Sequence, residues 1–284
     1  LTPQDALTYI NWETLGLLSG MFILVSILHE AGFFSWLALA AMRRVNYHPT
    51  ALFVILVLLA AVLAMFIDSI TVMLFLSALT LQLARLLKLD PVPVIIAEVC
   101  AANTGGAATL VGDPPNVLIA SASGFTFNDF LTHSLPVIVV VWIAVLFLLR
   151  YLFRAELAVT PSNIEAILSL EPGEALDDRV TARRVLIILG GAILFLFLQK
   201  PLGISPALIA ILAAAITLTW VRPDVRKTLE KIEWSVLGFF VALFVLVGGM
   251  KAAGLLDALA RLVAHLGNAN PLVLGVSLLW FVAG

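Results

Sequence analysis

Charge is scarce in this sequence. Only 12% of its 284 residues are Asp, Glu, Lys or Arg, 62% are hydrophobic, and mean hydropathy is +1.11. Soluble domains carry about 25% charged residues, so the composition excludes a large soluble core and predicts a polytopic membrane protein. Cysteine is limited to Cys100, which rules out an internal disulfide or a multi-cysteine metal site and reads as a small packing residue. The four histidines, His29, His48, His133 and His265, lack HxxxH or HExxH spacing and read as interfacial or packing residues. There is no Gly-Lys-Ser/Thr phosphate loop, no triad-like Ser/His/Asp pattern, and no basic cluster with interleaved aromatics. ATP hydrolysis, membrane enzymology and nucleic-acid binding are therefore unsupported, and no cofactor is implied. The first apolar run is bounded by acids, unlike the basic n-region of a cleavable signal peptide. Basic residues are missing altogether between Asp90 and Leu149, although Glu98, Asp113 and Asp129 lie in that stretch.

What is present is a series of apolar runs, at 12–28, 33–42, 51–67, 70–84, 91–103, 117–122, 134–153, 184–198, 205–221, 234–250 and 271–284. Several fall short of the ~20 residues that span a bilayer, which predicts re-entrant or broken helices. Glu156, Glu165, Glu171, Glu174, Asp177 and Asp178 mark 155–183 as a polar linker, read as a solvated loop joining two halves. The halves repeat: residues 10–38 align without gaps on 232–260, with 11 of 29 positions identical, including Trp12/Trp234, Gly16/Gly238, Phe22/Phe244 and Gly32/Gly254. Placing most Lys and Arg on the cytoplasmic side gives the two matched helices opposite directions, an inverted-topology repeat. Only Lys200, Lys251 and Arg261 then fall outside. Arg43/Arg44 and Arg85/Lys88 share one side, so 51–88 is read as a hairpin entering and leaving from the cytoplasm, its tip near Asp68. Two ordinary spanning helices would also return to that side. The repeat offset of 222 residues puts a second hairpin tip beyond Gly284. The sequence is thus expected to be the middle of a protein of roughly 420 residues, lacking part of both ends.

The glycine- and proline-broken stretch AANTGGAATLVGDPPNVLIASASG (101–124) is the leading candidate site. An unwound backbone in hydrocarbon survives only where protein or a water-filled cavity satisfies its polar groups, and transporters place ligand sites at such breaks. Gly105, Gly106 and Gly112 are expected to allow φ > 0 and close backbone approach. Pro114 and Pro115 stop one helix and restart another, whose N-terminus is expected to face an anion. Asp68, Glu98 and Asp113 are acids in apolar surroundings, where a functional role is the default. Asp68, Ser69 and Thr71 supply oxygens suited to Na⁺ or a proton. Glu98 reads as a protonatable coupling group or as a hydrogen-bonded structural Glu. The acid-rich, base-free stretch makes cation coupling the firmer half of the reading, since a naked polyanion would be repelled there. The six tryptophans lie mostly near segment ends, as an aromatic belt would.

Residues 66–121 (FIDSITVMLFLSALTLQLARLLKLDPVPVIIAEVCAANTGGAATLVGDPPNVLIAS) resemble the ion transporter superfamily. The nearest branch is the citrate-transporter-like group of the P protein, arsenical-pump membrane proteins and NhaD-type antiporters. The match is detailed over 66–154, and the Gly105-Gly106-x-Ala108-Thr109-x-x-Gly112-Asp113-Pro114-Pro115-Asn116 signature is specific for that branch. The resemblance implies a homodimeric elevator-type secondary transporter, with its site between re-entrant hairpins and broken helices. The hairpin motif falls on Asp68, Ser69 and Thr71. The broken-helix motif falls on Asn103, Thr104, Gly105, Thr109, Gly112, Asp113, Pro114, Pro115 and Asn116. Two departures stand out. Ser69 replaces the usual Asn, and Asp113 replaces the Thr of di- and tricarboxylate carriers, which weakens citrate or succinate as substrate.

Together these readings predict an all-α multi-pass protein of the bacterial inner membrane. Residues 1–50 are scaffold helices, and 51–154 are half of a transport domain, made of hairpin 51–88, broken helix 91–122 and helix 134–153. Residues 155–183 form a cytoplasmic linker, 184–270 a second scaffold and 271–284 the start of a second hairpin. Its function is expected to be movement of a small anion or oxyanion coupled to Na⁺ or H⁺. Na⁺/H⁺ antiport without an anion, arsenite efflux (for which Cys100 alone offers poor thiolate chemistry) and an anion channel are the alternatives. Asp68, Ser69, Thr71, Asn103 and Glu98 are expected to handle the coupling ion. Asn103, Thr104, Gly105, Thr109, Gly112, Asp113, Pro115 and Asn116 are expected to meet the substrate. Besides lipid and the transported ions, the only partner expected is a second copy. Asp68→Asn and Asn116→Ala are each expected to abolish transport with normal membrane insertion.

Overall fold

The computed structural model describes residues 3–44, 49–158 and 172–255, together with 258 and 261. The expected second hairpin at 271–284 and residues 159–171 of the linker lie outside the described residues. All regular elements among the described residues are helical. They begin with α1 (Pro3–Tyr9), α2 (Trp12–Glu30), α3 (Phe33–Arg44), α4 (Pro49–Ala64) and α5 (Ser69–Leu87). Next come α6 (Val92–Gly106), α7 (Pro114–Ser123) and α8 (Phe127–Leu152), which contains a π-turn at Phe130–Ser134. After the linker come α9 (Arg179–Phe197), α10 (Gln199–Leu202), α11 (Pro206–Val221), α12 (Val225–Glu230) and α13 (Trp234–Ala252). Helices α2, α5, α8, α9 and α13 are long and apolar enough to cross a membrane. In contrast, the 16 residues of α4 and 15 of α6 rise only about 22–24 Å, short of a ~30 Å hydrocarbon core.

The chain divides into two compact units, residues Leu1–Trp12 with Trp234–Gly284, and residues Glu13–Glu233. In the first, α1 packs on α13 because Gly248 leaves room for the Tyr9 ring, which a Cβ there would meet at 2.1 Å. In the second, the tightest pairing is α4 on α6. Helix α4 buries Leu52, Phe53, Leu56, Val57, Ala60, Ala61 and Ala64, a helical stripe. The buried positions facing it on α6 are small: Ala97, Ala101, Ala102 and Gly105. Small residues let two backbones approach closely where lipid offers no hydrophobic drive to associate. At Gly105 the approach is so close that a Cβ would lie 2.3 Å from the Ala61 carbonyl oxygen. The three break glycines are therefore needed for contact. The positive φ expected at them occurs instead at Gly32, Gly124, Gly203 and Gly254.

The matched segments 10–38 and 232–260 share local geometry. Both α2 and α13 have 19 residues, beginning at Trp12 and Trp234. Both end the same way: Gly32 and Gly254 have φ of 76° and 72°, and their N–H groups donate to the carbonyls of His29 and Lys251 at 3.0 Å. The end of the linker is more ordered than a solvated loop. A short helical turn at Pro172–Ala175 packs on α3, where its Ala175 carbonyl crosses over Gly32. Asp178 then caps α9, accepting from the N–H groups of Val180 (2.9 Å) and Thr181 (3.0 Å). The Thr181 N–H is the main reason its carboxyl lies below the ordinary value. Leu157 and Leu176 supply the apolar contacts that hold these linker ends down.

Gly105→Ala is expected to lower stability by about 1–3 kcal/mol, because the obstacle is backbone and cannot swing aside. Gly190→Ala on α9, where nothing lies within 4 Å of the added carbon, is expected to be neutral or stabilising. Thermal unfolding of the two purified variants in the same detergent checks this.

Candidate functional site

The hairpin α4–α5 turns at residues 65–68, and its tip meets the break between α6 and α7. Asp68 caps α5, its Oδ1 accepting the Thr71 N–H at 2.9 Å. Asp68 is 7% exposed, and its second oxygen, Oδ2, is buried with no hydrogen-bond partner. The next residue, Ser69, donates its hydroxyl to Asp113 Oδ1 at 3.1 Å, across 44 residues of sequence. Two carboxylates, one with an open oxygen, thus converge through a serine hydroxyl. Gly106 makes this possible, since a Cβ there would lie 2.1 Å from Asp113 Oδ2. The side-chain donors that meet here, two carboxylates and a hydroxyl, are all oxygens, which suit a hard cation or a proton.

The break itself, residues 107–113, is held by two side chains. Thr109, fully buried, donates its hydroxyl to the Met65 carbonyl at the hairpin turn and accepts the N–H groups of Val111 (3.2 Å) and Gly112 (3.1 Å). Asn116 donates both hydrogens of its amide, to the carbonyls of Gly106 (2.8 Å) and Thr109 (2.7 Å). Gly112 fits between the carbonyls of Gly106 and Ala64, which a Cβ would approach to 2.4 and 2.6 Å. The Val111 and Gly112 N–H groups and the Gly106 and Thr109 carbonyls thus find partners within the chain.

Thr109 and Asn116 therefore donate to backbone carbonyls. The start of α7 is poor in donors as well. Pro114 and Pro115 have no N–H, the Asn116 N–H goes to the Asp113 carbonyl at 3.0 Å, and Asp113 is the cap residue, with no side-chain cap hydrogen bond. Pro115 and Asn103 are exposed, and Thr71 joins the Asp68 group through its backbone N–H. Thr104 is held within α6 by the carbonyls of Cys100 and Ala101, and its hydroxyl accepts from the Trp142 ring nitrogen at 3.0 Å. Trp142 had been grouped with the aromatic belt, yet it lies in the middle of α8. That central position, inside an otherwise aliphatic run, was the available signal for a different role.

Glu98 stands apart from the hairpin tip. It is fully buried, and Thr80 of α5 donates to its Oε1 at 2.6 Å, while Oε2 has no partner. Thr80 follows Asp68 by twelve residues, so the Thr80–Glu98 pair lies about 18 Å along α5 from the tip. The acids expected to act together form two separate centres.

A helical hairpin docked on a broken helix, together with helices long and apolar enough to span, marks a multi-pass membrane protein. The chain belongs to the citrate transporter family, whose family model matches residues 1–284. It is 39% identical over 278 residues to an uncharacterized transporter of Mycobacterium tuberculosis, covering 94% of this chain and 64% of that protein. It is 31% identical to the human P protein over 321 residues (88% of this chain, 38% of that one). It is 30% identical to the magnetosome protein MamN of Paramagnetospirillum magneticum over 290 residues (99% and 65%). The chain thus spans about two thirds or less of these relatives' length.

Asn116→Ala leaves two buried carbonyls unpaired and is expected to cost about 1–3 kcal/mol, so its loss of transport would come with loss of folded protein. Asn103→Ala, at an exposed position, is expected to stay within about 0.5 kcal/mol of the parent. Chemical or thermal denaturation of both variants measures the difference.

Proposed function

We propose that this chain forms the cation-binding part of a secondary transporter driven by exchange of Na⁺ and H⁺. The carrying observation is the Asp68–Ser69–Asp113 group, with the buried Asp68 Oδ2 left open. A buried carboxylate oxygen that accepts no hydrogen bond from the protein is open to a bound Na⁺ or a proton as its partner. The hydroxyl of Ser69 orients Asp113, and the Thr71 N–H fixes Asp68 in a single rotamer, so both acids are held ready for an ion. The absence of any Lys or Arg between Asp90 and Leu149 supports a cation over an anion at this position.

In this reading, hairpin α4–α5 and broken helix α6–α7 move as one body. Access alternates by an elevator motion in a homodimer whose linker faces the cytoplasm of a bacterial inner membrane. The resemblance of residues 66–154 to the ion transporter superfamily supports the elevator and dimer. The basic residues Arg85, Lys88, Arg150 and Arg154 support the orientation. A second reading, cotransport of a small anion or oxyanion with the cation, is favoured by the description of the family. The donor-poor start of α7 argues against that anion resting there.

The test uses the full-length protein in proteoliposomes under an imposed Na⁺ gradient, following internal pH with no organic or inorganic substrate anion present. A Na⁺-dependent pH change that falls to background in Asp68→Asn, with normal insertion, is expected. Its absence until a candidate anion is added would overturn the exchange reading in favour of coupled anion transport.

A further inference from the structure

A cavity of about 40 Å³ lies between α4, α5 and α6, on the side of Thr80 away from the hairpin tip. Its apolar walls include Leu56, Ala84 and Leu157. Three polar residues are among those that line it: Thr80, and Asp90 and Glu156, both exposed. The volume is enough for a short file of about two or three waters, since each needs roughly 10–15 Å³ of such space. Thr80 is 3% exposed, and its hydroxyl donates to Glu98. Thr80 thus both lines the cavity and hydrogen-bonds the buried Glu98.

We propose that this cavity is a proton-entry site, in which Asp90 and Glu156 collect protons and Thr80 relays them to Glu98. A cavity water that has taken a proton from Asp90 or Glu156 passes one to the Thr80 oxygen and is left neutral, while the Thr80 hydroxyl proton moves to Glu98 Oε1. The hydroxyl is regenerated, and Glu98 goes from carboxylate to neutral acid. A hydroxyl serves here because it accepts and donates at once, which an amide or a methyl cannot do. The charged groups on the elements packed around Glu98 are few. Helix α4 has none, α5 has Arg85 followed by Lys88, and α8 has Asp129 and His133 at one end and Arg150 at the other. Arg85, Lys88, Arg150 and Arg154 lie near the mouth in sequence, and Asp90 and Glu156 stand among them as the acids that attract a proton. The route gives Glu98 its own access to solvent, about 18 Å along α5 from the Asp68–Asp113 group. It deepens the proton-coupled reading above, but its test does not depend on transport.

The experiment is pH-jump infrared difference spectroscopy on the purified full-length protein. The Glu98 carboxyl band is assigned by its disappearance in Glu98→Gln. In the parent the band is expected to rise promptly after the jump. In Thr80→Val, and in Ala84→Leu, which fills the cavity without touching Glu98, its rise is expected to slow about tenfold or more. Thr80→Ser is expected to keep the parent rate, which separates the relay from mere packing and stands in if Thr80→Val fails to fold. Unchanged rates in Thr80→Val and Ala84→Leu would overturn the route, as would a spectrum in which Glu98→Gln removes no band. Absence of Na⁺-driven pH change in the parent would instead sink the exchange reading and leave this measurement standing.

Discussion

A break in a helix within apolar surroundings exposes peptide groups that neither lipid nor a hydrocarbon core can satisfy. Each unpaired group costs on the order of several kcal/mol. In this protein two side chains meet that demand. Thr109 bridges the break to the hairpin turn, and Asn116 ties the end of α6 to the loop that follows it. Everything near the site depends on this arrangement. The hairpin tip is placed by the Met65–Thr109 contact, α7 is aimed by Asn116, and Asp113 reaches Ser69 because both are fixed. A residue that merely looked polar and available turns out to be holding the backbone that makes a site possible.

The same economy explains the small residues. Gly105, Gly106 and Gly112 have ordinary helical or extended backbone, yet each faces a carbonyl or carboxylate too close for a Cβ. Gly105 and Gly106, inside α6, weaken helix propensity by about 0.5–1 kcal/mol each relative to Ala, and the close α4–α6 packing offsets that cost. Removing the Cβ also leaves room for the Asp113 carboxylate beside the α6 C-terminus, where the Ser69 hydroxyl donates to it. Packing and chemistry are fixed by the same atoms here, which is why substitutions at the break change folding and function together.

Much of this was legible in the sequence. The positions of α2, α4, α5 and α11 follow from the apolar runs, and the break follows from Gly105-Gly106 and Pro114-Pro115. Asp68 at a hairpin tip could be read from the charge pattern, because an acid with Ser and Thr beside it sits poorly inside a span. What the sequence could not convey was where each hydrogen went. Asn116 has the same composition whether it binds an anion or two carbonyls, and only the distances of 2.7 and 2.8 Å decide between them. Thr80 is unmarked in the sequence because a single polar atom in a long apolar run carries no periodic signal, and Trp142 is marked only by its central position in α8. Their importance comes from long-range partners, Glu98 and Thr104, which local pattern does not encode.

The two acidic centres raise the question of how they sense one another. At about 18 Å, separated by packed helix, direct Coulomb interaction is weak unless the intervening dielectric is low. Mechanical linkage is available, because α5 carries Asp68 at its start and Thr80 in its middle, while α6 carries Glu98 in its middle and leads to Asp113. In the proposed exchange, an ion at the tip that draws Asp68 and Asp113 together would shift α5 relative to α6, and the Thr80–Glu98 bond lies across that same interface. Linkage would then require the reverse effect: protonation of Glu98 must change cation affinity at the tip by the factor with which the cation changes proton affinity. No salt bridge between the centres is needed, and the lack of basic residues through this stretch follows naturally, since a fixed Lys or Arg would satisfy one acid permanently and uncouple it from the other.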